Sequence, residues 1–525
     1  MKIRWLPILG MVIGCLPVSI AGQKQVSGAG GYRISGTAVN SVTGAPLGQV
    51  HIVAARDDGA AGQLDTTTGA DGKFAIEPVP AGSWSLTAER KGYLRQVYGQ
   101  RDLNKGTNSS VITGPKGASE NLVLPMHQPA AISGKVVDER GEPVPGAIIH
   151  LLVQTISSRK QVMIRKVVAT DDQGDYRLFD LPPTTCYLSA VVPNPMGVIS
   201  ETAGFVPQYY PNTADARSAA PIQLKPGAEF VANFALRRAR GGVSVTVDGD
   251  TKVEGGNGSQ LLVLVTEGPE GSSVSAATLG PGQGTTFSHI QPGRYKLVVG
   301  DVESINTLAE WVEVGSQDVT VTLPMADPPE ISATVRVVDG DPASLRGATL
   351  ALASFSDVVN SMRPILPDGS VKIAPMPSGR YEIVLGSAQL YVKSVTARNA
   401  RMVDGMVELP ESGAVRLDIV AAGDGASVSG VVTAARGPLS GALVVLIPRK
   451  QPGDPTDNHG YQADSDGSFK FPSIKPGEYY LFATDDWQLE WGDPTKVKPY
   501  LALAKVVKAD PRGTLETQIE VSRRP

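Results

Sequence analysis

The chain has 525 residues, including 58 glycines and 40 prolines, and its 48 basic and 52 acidic residues give a net charge of −4. This length predicts several domains rather than one. The near balance of charge argues against a large surface for nucleic acid or anionic lipid, because those partners require clustered basic residues. We therefore expect no nucleic-acid partner.

The N-terminus has the pattern of a secretory signal peptide over residues 1–21. A basic head precedes an apolar stretch, and Ser19-Ile20-Ala21 offers a cleavage site of small residues. Val12-Ile13-Gly14-Cys15 also resembles a bacterial lipobox, which leaves acylation at Cys15 open; membrane contact is expected only in that case. The apolar stretch is shorter than the roughly 20 residues of a transmembrane helix. The sequence predicts an exported protein that is periplasmic, outer-membrane-associated or secreted.

A cassette recurs five times: a turn glycine, an alternating strand, a proline-containing turn and an aromatic residue. The copies are Gly72 to Trp84, Gly174 to Tyr187, Gly284 to Tyr295, Gly369 to Tyr381 and Gly467 to Tyr479. Successive aromatics lie 103, 108, 86 and 98 residues apart, which suits one small domain per copy and is too long for a solenoid. The predicted domains are residues 30–126, 130–238, 240–325, 329–420 and 425–525.

The second copy illustrates the predicted strands. Residues 132–137 alternate between apolar and polar, residues 138–143 form a polar turn that predicts a hairpin, and residues 145–151 resume as a strand. Short strands separated by Gly, Pro and Asp favour antiparallel sandwiches, because each strand hides one face and exposes the other. With Cys186 as the one cysteine beyond the leader, no intrachain disulfide can form. Hydrophobic cores alone must stabilise the domains.

Three copies carry motifs that resemble the carboxypeptidase regulatory-like domain. In the second copy the motifs are Ile132-Ser133-Gly134, Gly141 to Ala147, Gly174-Asp175-Tyr176 and Leu181-Pro182-Pro183. The first copy matches through Ile34-Ser35-Gly36, Gly44 to Leu47, Asp71 to Phe74 and Pro80-Ala81-Gly82, and the fifth through Val428-Ser429-Gly430, Gly437 to Ala442, Asp466 to Phe469 and Pro476 to Tyr479. The third and fourth copies diverge. The resemblance implies an all-β fold, a tandem array of about five transthyretin-like or immunoglobulin-like antiparallel sandwiches after the signal peptide.

Two aromatic segments, Gly92 to Tyr98 and Gly204 to Tyr210, are related to each other. They resemble the versions of this domain in large exported proteins of Acidobacteria-like bacteria. Each segment could form a binding ledge or could seal the open end of its sandwich. The seal is the favoured interpretation, because every copy needs one.

No catalytic residue, metal site or cofactor is predicted. A zinc carboxypeptidase site needs a His with a Glu three residues later and a distant second His. That spacing is absent at each of the five histidines, His51, His127, His150, His289 and His459. Cys186 precedes apolar residues and is interpreted as a core residue. The acidic turns at 248–250 and 464–467 lack the twelve-residue calcium-loop pattern and are interpreted as turn residues, with calcium binding left open.

The C-terminal segment departs from the cassette, since Trp487 and Trp491 lie four residues apart beside several acidic residues. Together with Tyr500, these rings could stack on sugars, which makes the three residues the candidate ligand contacts. The competing interpretation is a short helix that plugs the last domain. The predicted function is non-enzymatic adhesion, scaffolding or glycan contact, with a glycan or an envelope protein as partner. The alternatives are an accessory subunit of a secreted peptidase or glycosidase and the periplasmic part of an outer-membrane receptor system.

Overall fold

A computed structural model of the chain describes residues 31–59, 62–101, 103, 108–156, 160–192, 205–214, 218–238, 243–248, 260–266, 273–279, 285–290, 292–300, 308–322, 329–354, 360–374, 376, 378–387, 389–403, 405–449 and 458–522. Within them the protein is built of β-strands, with one α-helix near the C-terminus. No helix in this part of the chain has the length and hydrophobicity needed to cross a membrane. The predicted signal peptide and Cys15 lie outside the described residues.

The first unit, residues 32–126, is a sandwich of two sheets. Its strands are β1 (Tyr32–Asn40), β2 (His51–Arg56), β3 (Gln63–Thr67), β4 (Lys73–Val79), β5 (Gly82–Glu89), β6 (Gln96–Val97), β7 (Val111–Thr113) and β8 (Leu122–Met126). One sheet has the order β4-β1-β8, and the other has the order β3-β2-β5-β6 with β7 also beside β5. Because side chains alternate across a strand, Ile34 of one sheet meets Trp84 and Leu86 of the other in a shared core.

The second unit, residues 130–238, repeats this plan. Its strands are β9 (Ala130–Val137), β10 (Ile148–Ile156), β11 (Lys160–Ala169), β12 (Asp175–Leu181), β13 (Thr184–Val191), β14 (Gln208–Tyr209), β15 (Ile222–Leu224), β16 (Glu229–Val231) and β17 (Phe234–Ala235). The sheets β12-β9-β16 and β11-β10-β13-β14, with β17 beside β9 and β15 beside β13, enclose one core. Phe205 is buried in that core and Tyr210 packs against it.

The third and fourth units are also two-sheet sandwiches. The third contains β18 (Val243–Asp248), β19 (Gln260–Thr266), β20 (Ser273–Leu279), β21 (Thr285–Ile290), β22 (Gly293–Gly300), β23 (Leu308–Val314) and β24 (Val319–Thr322). The fourth contains β25 (Glu330–Val338), β26 (Thr349–Ser354), β27 (Asn360–Pro364), β28 (Ser370–Ile373), β29 (Gly379–Gly386), β30 (Tyr391–Arg398), β31 (Arg401–Val403), β32 (Met406–Leu409) and β33 (Ala414–Ala422). Each unit has its own hydrophobic core.

The fifth unit joins its two layers into one curled sheet. Its elements are β34 (Ala426–Ala434), β35 (Gly437–Pro438), β36 (Leu443–Pro448), β37 (His459–Gln462), β38 (Ser468–Ile474), β39 (Gly477–Thr484), α1 (Pro494–Leu501), β40 (Lys505–Ala509) and β41 (Thr514–Ser522). Strand β41 pairs with β34 over most of its length and with β39 at its end, which closes one side of the sandwich. The prediction of an all-β protein built of sandwiches is thus confirmed.

Each unit adds parallel pairing to the predicted antiparallel pattern, and in the second and fifth units the pairs β9–β17 and β39–β41 are parallel as well. The first strand of the unit lies beside a late strand that runs in the same direction, in the pairs β1–β8, β9–β16, β18–β24, β25–β33 and β34–β41. A parallel neighbour requires a long crossover, and here the intervening strands of the unit provide it. The chain therefore enters each unit at one end of this pair and leaves at the other.

The hairpin predicted at residues 138–143 is wrong, because β9 and β10 belong to opposite sheets. The turn folds back only as far as an antiparallel bridge between Val137 and Pro143, with the Val144 amide donating to the Val136 carbonyl at 3.0 Å. Pro145 has no amide hydrogen to continue this pairing, and the chain then crosses to the other layer. Asp138 helps to close the turn, since its Oδ1 accepts from the amides of Arg140 and Glu142 at 2.8 and 3.1 Å.

The cassette turn has the same backbone hydrogen bonds in the four units where it is described. The amide of its first residue donates to the carbonyl four residues later, and the glycine amide donates back to that first residue. The first residues are Gly69, Asp171, Leu366 and Asp464. The turn glycines have φ between +73° and +82°, a region that side chains with a Cβ rarely adopt. Gly284 lies outside the described residues.

The aromatic of the second cassette was misplaced by one residue. In the other four units the third residue of the strand is buried and aromatic: Trp84, Tyr295, Tyr381 and Tyr479. In the second unit the third residue of β13 is Cys186, fully buried, whereas Tyr187 lies on the other face and is half-buried. The sequence spacing could not separate two adjacent residues, because only their alternation across the strand distinguishes them.

Candidate functional site

The predicted contact residues lie on the outer face of the fifth unit. Strand β36 is buried on both faces, as its unbroken apolar run Leu443 to Ile447 would require. Its inner face meets the sandwich core, and its outer face is covered by the segment 485–493 and by α1. Helix α1 begins at Pro494, and the Asp493 carboxylate caps it by accepting from the Thr495 amide at 2.8 Å.

Trp487 packs on this outer cluster and is half-buried. The Arg101 guanidinium of the first unit lies over its ring, 5.6 Å from the centroid. The indole Nε1 is buried and has no hydrogen-bond partner among the described residues. The Trp487 ring is therefore covered by Arg101 of the first unit, and its indole N–H points into the interior of the protein.

Trp491 lies at the edge of the same cluster, against strand β37. A Cβ added at Gly460 would come within 2.8 Å of the Trp491 ring atom Cζ2, so the indole rests directly on the Gly460 backbone. Asn458 Nδ2 donates to the Trp491 carbonyl at 3.2 Å. The segment that holds both tryptophans is a pair of turns, so they do not share a helical face.

Tyr500 does not fit the predicted aromatic ledge, because it is only 3% exposed. Its ring stacks on Phe482 with centroids 5.3 Å apart and planes at 20°. Its hydroxyl donates to Asp486 Oδ2 at 2.9 Å. Of the three predicted residues, Tyr500 thus fixes α1 to the sheet, and only the two tryptophans retain exposed surface.

The sequence did not predict a contact between the first and fifth units, which lies beside Trp487. We call it the first–fifth interface; it is formed by Ser109, Ser110 and Ile112 of the first unit and Gln462, Asp464 and Ser465 of the fifth. Ser109 Oγ donates to the Ala463 carbonyl at 2.8 Å, and Gln462 Nε2 donates to Ser109 Oγ at 3.0 Å and to the Gly99 carbonyl at 2.6 Å.

Three consecutive hydrogen bonds join the cassette turn of the fifth unit to the chain at β7. The Ser110 amide donates to Asp464 Oδ1, the Ser465 amide donates to the Ser110 carbonyl, and the Ile112 amide donates to Ser465 Oγ, each at 2.9 Å. The partners are more than 350 positions apart in sequence. No local pattern could have revealed their pairing.

The Asp464 carboxyl lies in this interface and has a pKa well above that of an ordinary aspartate. Burial raises its pKa to about 6, and the nearby carboxylates Asp466 and Asp57 add to the rise. Hydrogen bonds from the Ser110 amide and the Tyr461 hydroxyl oppose the rise. Desolvation dominates because a buried carboxylate loses more hydration than two donors restore.

Burial also alters the pKa of the cysteine and of two histidines elsewhere in the chain. Burial raises the pKa of Cys186 to about 12, which is the behaviour of an inert core thiol. Burial also lowers the pKa of His127 and of His150. In the part of the chain that the structure describes, no three His, Cys, Asp or Glu residues are grouped as metal ligands.

Comparison with known proteins matches one part of the chain to a family model. Residues 33–113 match the model of the carboxypeptidase regulatory-like domain. No curated protein matches the chain. Among solved structures, the Bacillus anthracis TIE protein is 13% identical over 76% of this chain and 75% of its own, with a TM-score of 0.18.

Two further structures give equally distant matches. The minor pilin GBS52 of Streptococcus agalactiae is 12% identical over 43% of this chain and all of its own (100%), with a TM-score of 0.21. Catechol 1,2-dioxygenase from Pseudomonas arvilla is 16% identical over 22% of this chain and 53% of its own, with a TM-score of 0.15. Scores of this size carry no argument about function.

The chain is therefore a multi-unit all-β protein with β-sandwiches as its structural elements. Its first unit is similar to the carboxypeptidase regulatory-like domain, whose model matches residues 33–113. For the second and fifth units the same resemblance stays a prediction from their motifs.

Proposed function

We propose that this chain is a non-enzymatic binding or scaffold protein that acts outside the cytoplasm. The match of residues 33–113 to a domain described as regulatory-like carries the proposal, because such a domain accompanies a catalytic partner rather than performing chemistry. The burial of Cys186 in a sandwich core agrees with this role, since a nucleophile must be reachable by its substrate.

The partner is proposed to be a glycan or an envelope protein that contacts the loops of the units. Loops on a rigid sandwich can change without cost to the core and so commonly carry binding. Trp487 and Trp491 are the proposed ring-stacking residues, and Tyr500 is excluded from that role by its burial. A glycan that uses Trp487 would have to displace the Arg101 side chain that covers its ring.

A binding experiment on residues 22–525 tests the proposal. We expect saturable binding to a glycan array or capture of a defined protein from envelope fractions. Trp487→Ala and Trp491→Ala should abolish glycan binding. Trp311→Ala, which removes a 47% exposed tryptophan of the third unit, should leave it intact. Equal loss in all three variants would contradict the tryptophan site, and turnover of a substrate by the purified chain would contradict the non-enzymatic role.

Export is part of the same proposal and rests on the N-terminal pattern of residues 1–21. Intact-mass measurement of the protein recovered from the cell envelope separates the two processing routes. A chain that starts at Gly22 indicates cleavage after Ala21, and a chain that starts at an acylated Cys15 indicates a lipoprotein with membrane contact. An unprocessed chain in the cytoplasm would contradict export.

A further inference from the structure

The outer edge of β7 is the feature from which the inference starts. Strand β7 pairs with β5 through one edge, and its other edge would present unpaired backbone groups, which proteins normally cover. Here the Ser110 amide, the Ser110 carbonyl and the Ile112 amide are all bonded to the cassette turn of the fifth unit. That turn therefore takes the place of a neighbouring strand.

The fifth cassette turn differs from its counterpart in the way needed for this role. In the second unit, Asp171 Oδ1 accepts from the amides of Gln173 and Asp175 within its own turn, at 2.9 and 2.8 Å. In the fifth unit, Asp466 Oδ1 accepts from the turn amide of Ser468 at 2.9 Å instead. The Asp464 carboxylate is thereby available to bind the first unit.

Acidic groups surround Asp464 from both units. Asp466 belongs to its own turn, Asp57 follows β2 of the first unit, and the Tyr461 hydroxyl on β37 donates to Asp464 Oδ2 at 2.9 Å. From the β7 side, the group that reaches the carboxyl is the Ser110 amide. Deprotonation of Asp464 therefore adds a negative charge to a site that already holds two carboxyls.

We propose that the first–fifth interface is a reversible closure of the chain, that acid strengthens it, and that the occupant of the β7 edge is the cassette turn of the same chain. When the interface opens, Asp464 regains water, and its pKa falls from about 6 towards the ordinary 3.8. The closed state therefore binds the proton more tightly. The stabilisation of the closed interface by this proton is complete below the ordinary pKa of the Asp464 carboxyl, and it is lost as the pH rises through 6.

Hydrogen exchange of the Ser110 and Ile112 amides measures this closure even when the open state is rare. After correction for the intrinsic exchange rate, their protection in residues 22–525 should fall about tenfold between pH 5 and pH 7.5, as the two pKa values require. Asp464→Asn keeps an acceptor for the Ser110 amide but does not titrate. Its protection should therefore be independent of pH.

A bulky substitution in the fifth cassette turn tests, independently of pH, whether that turn covers the β7 edge. Ser465→Trp should abolish the protection of both amides, whereas Asp172→Trp, at the equivalent exposed position of the second unit, should preserve it. Light scattering should give a monomer at both pH values. Protection that persists in Ser465→Trp, protection of the wild type that does not change with pH, or a dimer that dissociates when protection is lost would each overturn the proposal.

Discussion

The second and fifth units carry the same cassette but use it differently. In the second unit the acidic turn is exposed and bonds within its own unit, to itself and to β9, and the outer face of its sheet leaves Ile164 and Val167 about half exposed. In the fifth unit the equivalent turn is buried against the first unit, and the outer face is covered by the tryptophan segment and α1. Local backbone geometry thus fixes the turn, whereas the side chains around it decide whether the unit stands alone.

The largest expected difference lies in the cores. Tyr479→Ala removes a buried ring whose hydroxyl donates to the Lys475 carbonyl at 2.6 Å, and it should destabilise the fifth unit by about 3–5 kcal/mol. Cys186→Ala, at the equivalent position of the second unit, should cost only about 1 kcal/mol, because a single heavy atom, Sγ, is lost. Hydrogen exchange resolved by unit should be used, since a multi-unit chain does not unfold in two states. Equal losses would contradict the assignment of Cys186 to the aromatic position.

The reactivity of the Cys186 thiol provides a second test of its burial in the second unit. With its pKa raised from 9.0 to about 12 by burial, Cys186 has roughly 1000-fold less thiolate than an ordinary thiol at pH 8 and should alkylate correspondingly slowly. Tyr187→Cys, made in a chain with Cys186→Ala, places a thiol one residue along β13 on its half-buried face. Alkylation followed by mass spectrometry should show fast labelling of the second thiol, and comparable rates would argue that Cys186 is accessible.

The sequence predicts those features that depend on neighbouring residues. The positive φ of Gly174 and the alternating strands follow from local sterics and period two, and both are present. The change of sheet at Pro143 was missed, because a bridge and a hairpin begin with the same polar turn. The pairing of Ser110 with Asp464 could not be predicted at all, since it depends on where three intervening units place the fifth.

The outer face of the fifth unit provides the next test. Gly460→Ala would place a methyl group 2.8 Å from the Trp491 ring and should cost about 1–3 kcal/mol, because a rigid indole must move. Val167→Ala, on the exposed β11 strand of the second unit, should change stability by less than about 0.5 kcal/mol. A red shift in tryptophan emission and faster exchange in residues 485–493 should accompany only the first change. Unchanged emission would mean that Trp491 does not rest on Gly460.

The smallest effect concerns a pair of matched glycines. Gly146 and Gly441 have φ of +69° and +71°, so alanine at either position should cost its own unit about 1 kcal/mol. A Cβ at Gly146 would meet open space, but one at Gly441 would lie 2.9 Å from Arg101 Nη2 of the first unit. Gly441→Ala should therefore displace Arg101 from Trp487 and weaken a contact worth about 0.5–1 kcal/mol. Exchange of the Ser110 amide should rise about two- to fivefold in Gly441→Ala and remain unchanged in Gly146→Ala; an equal rise in both would mean that the effect travels through turn strain rather than through the first–fifth interface.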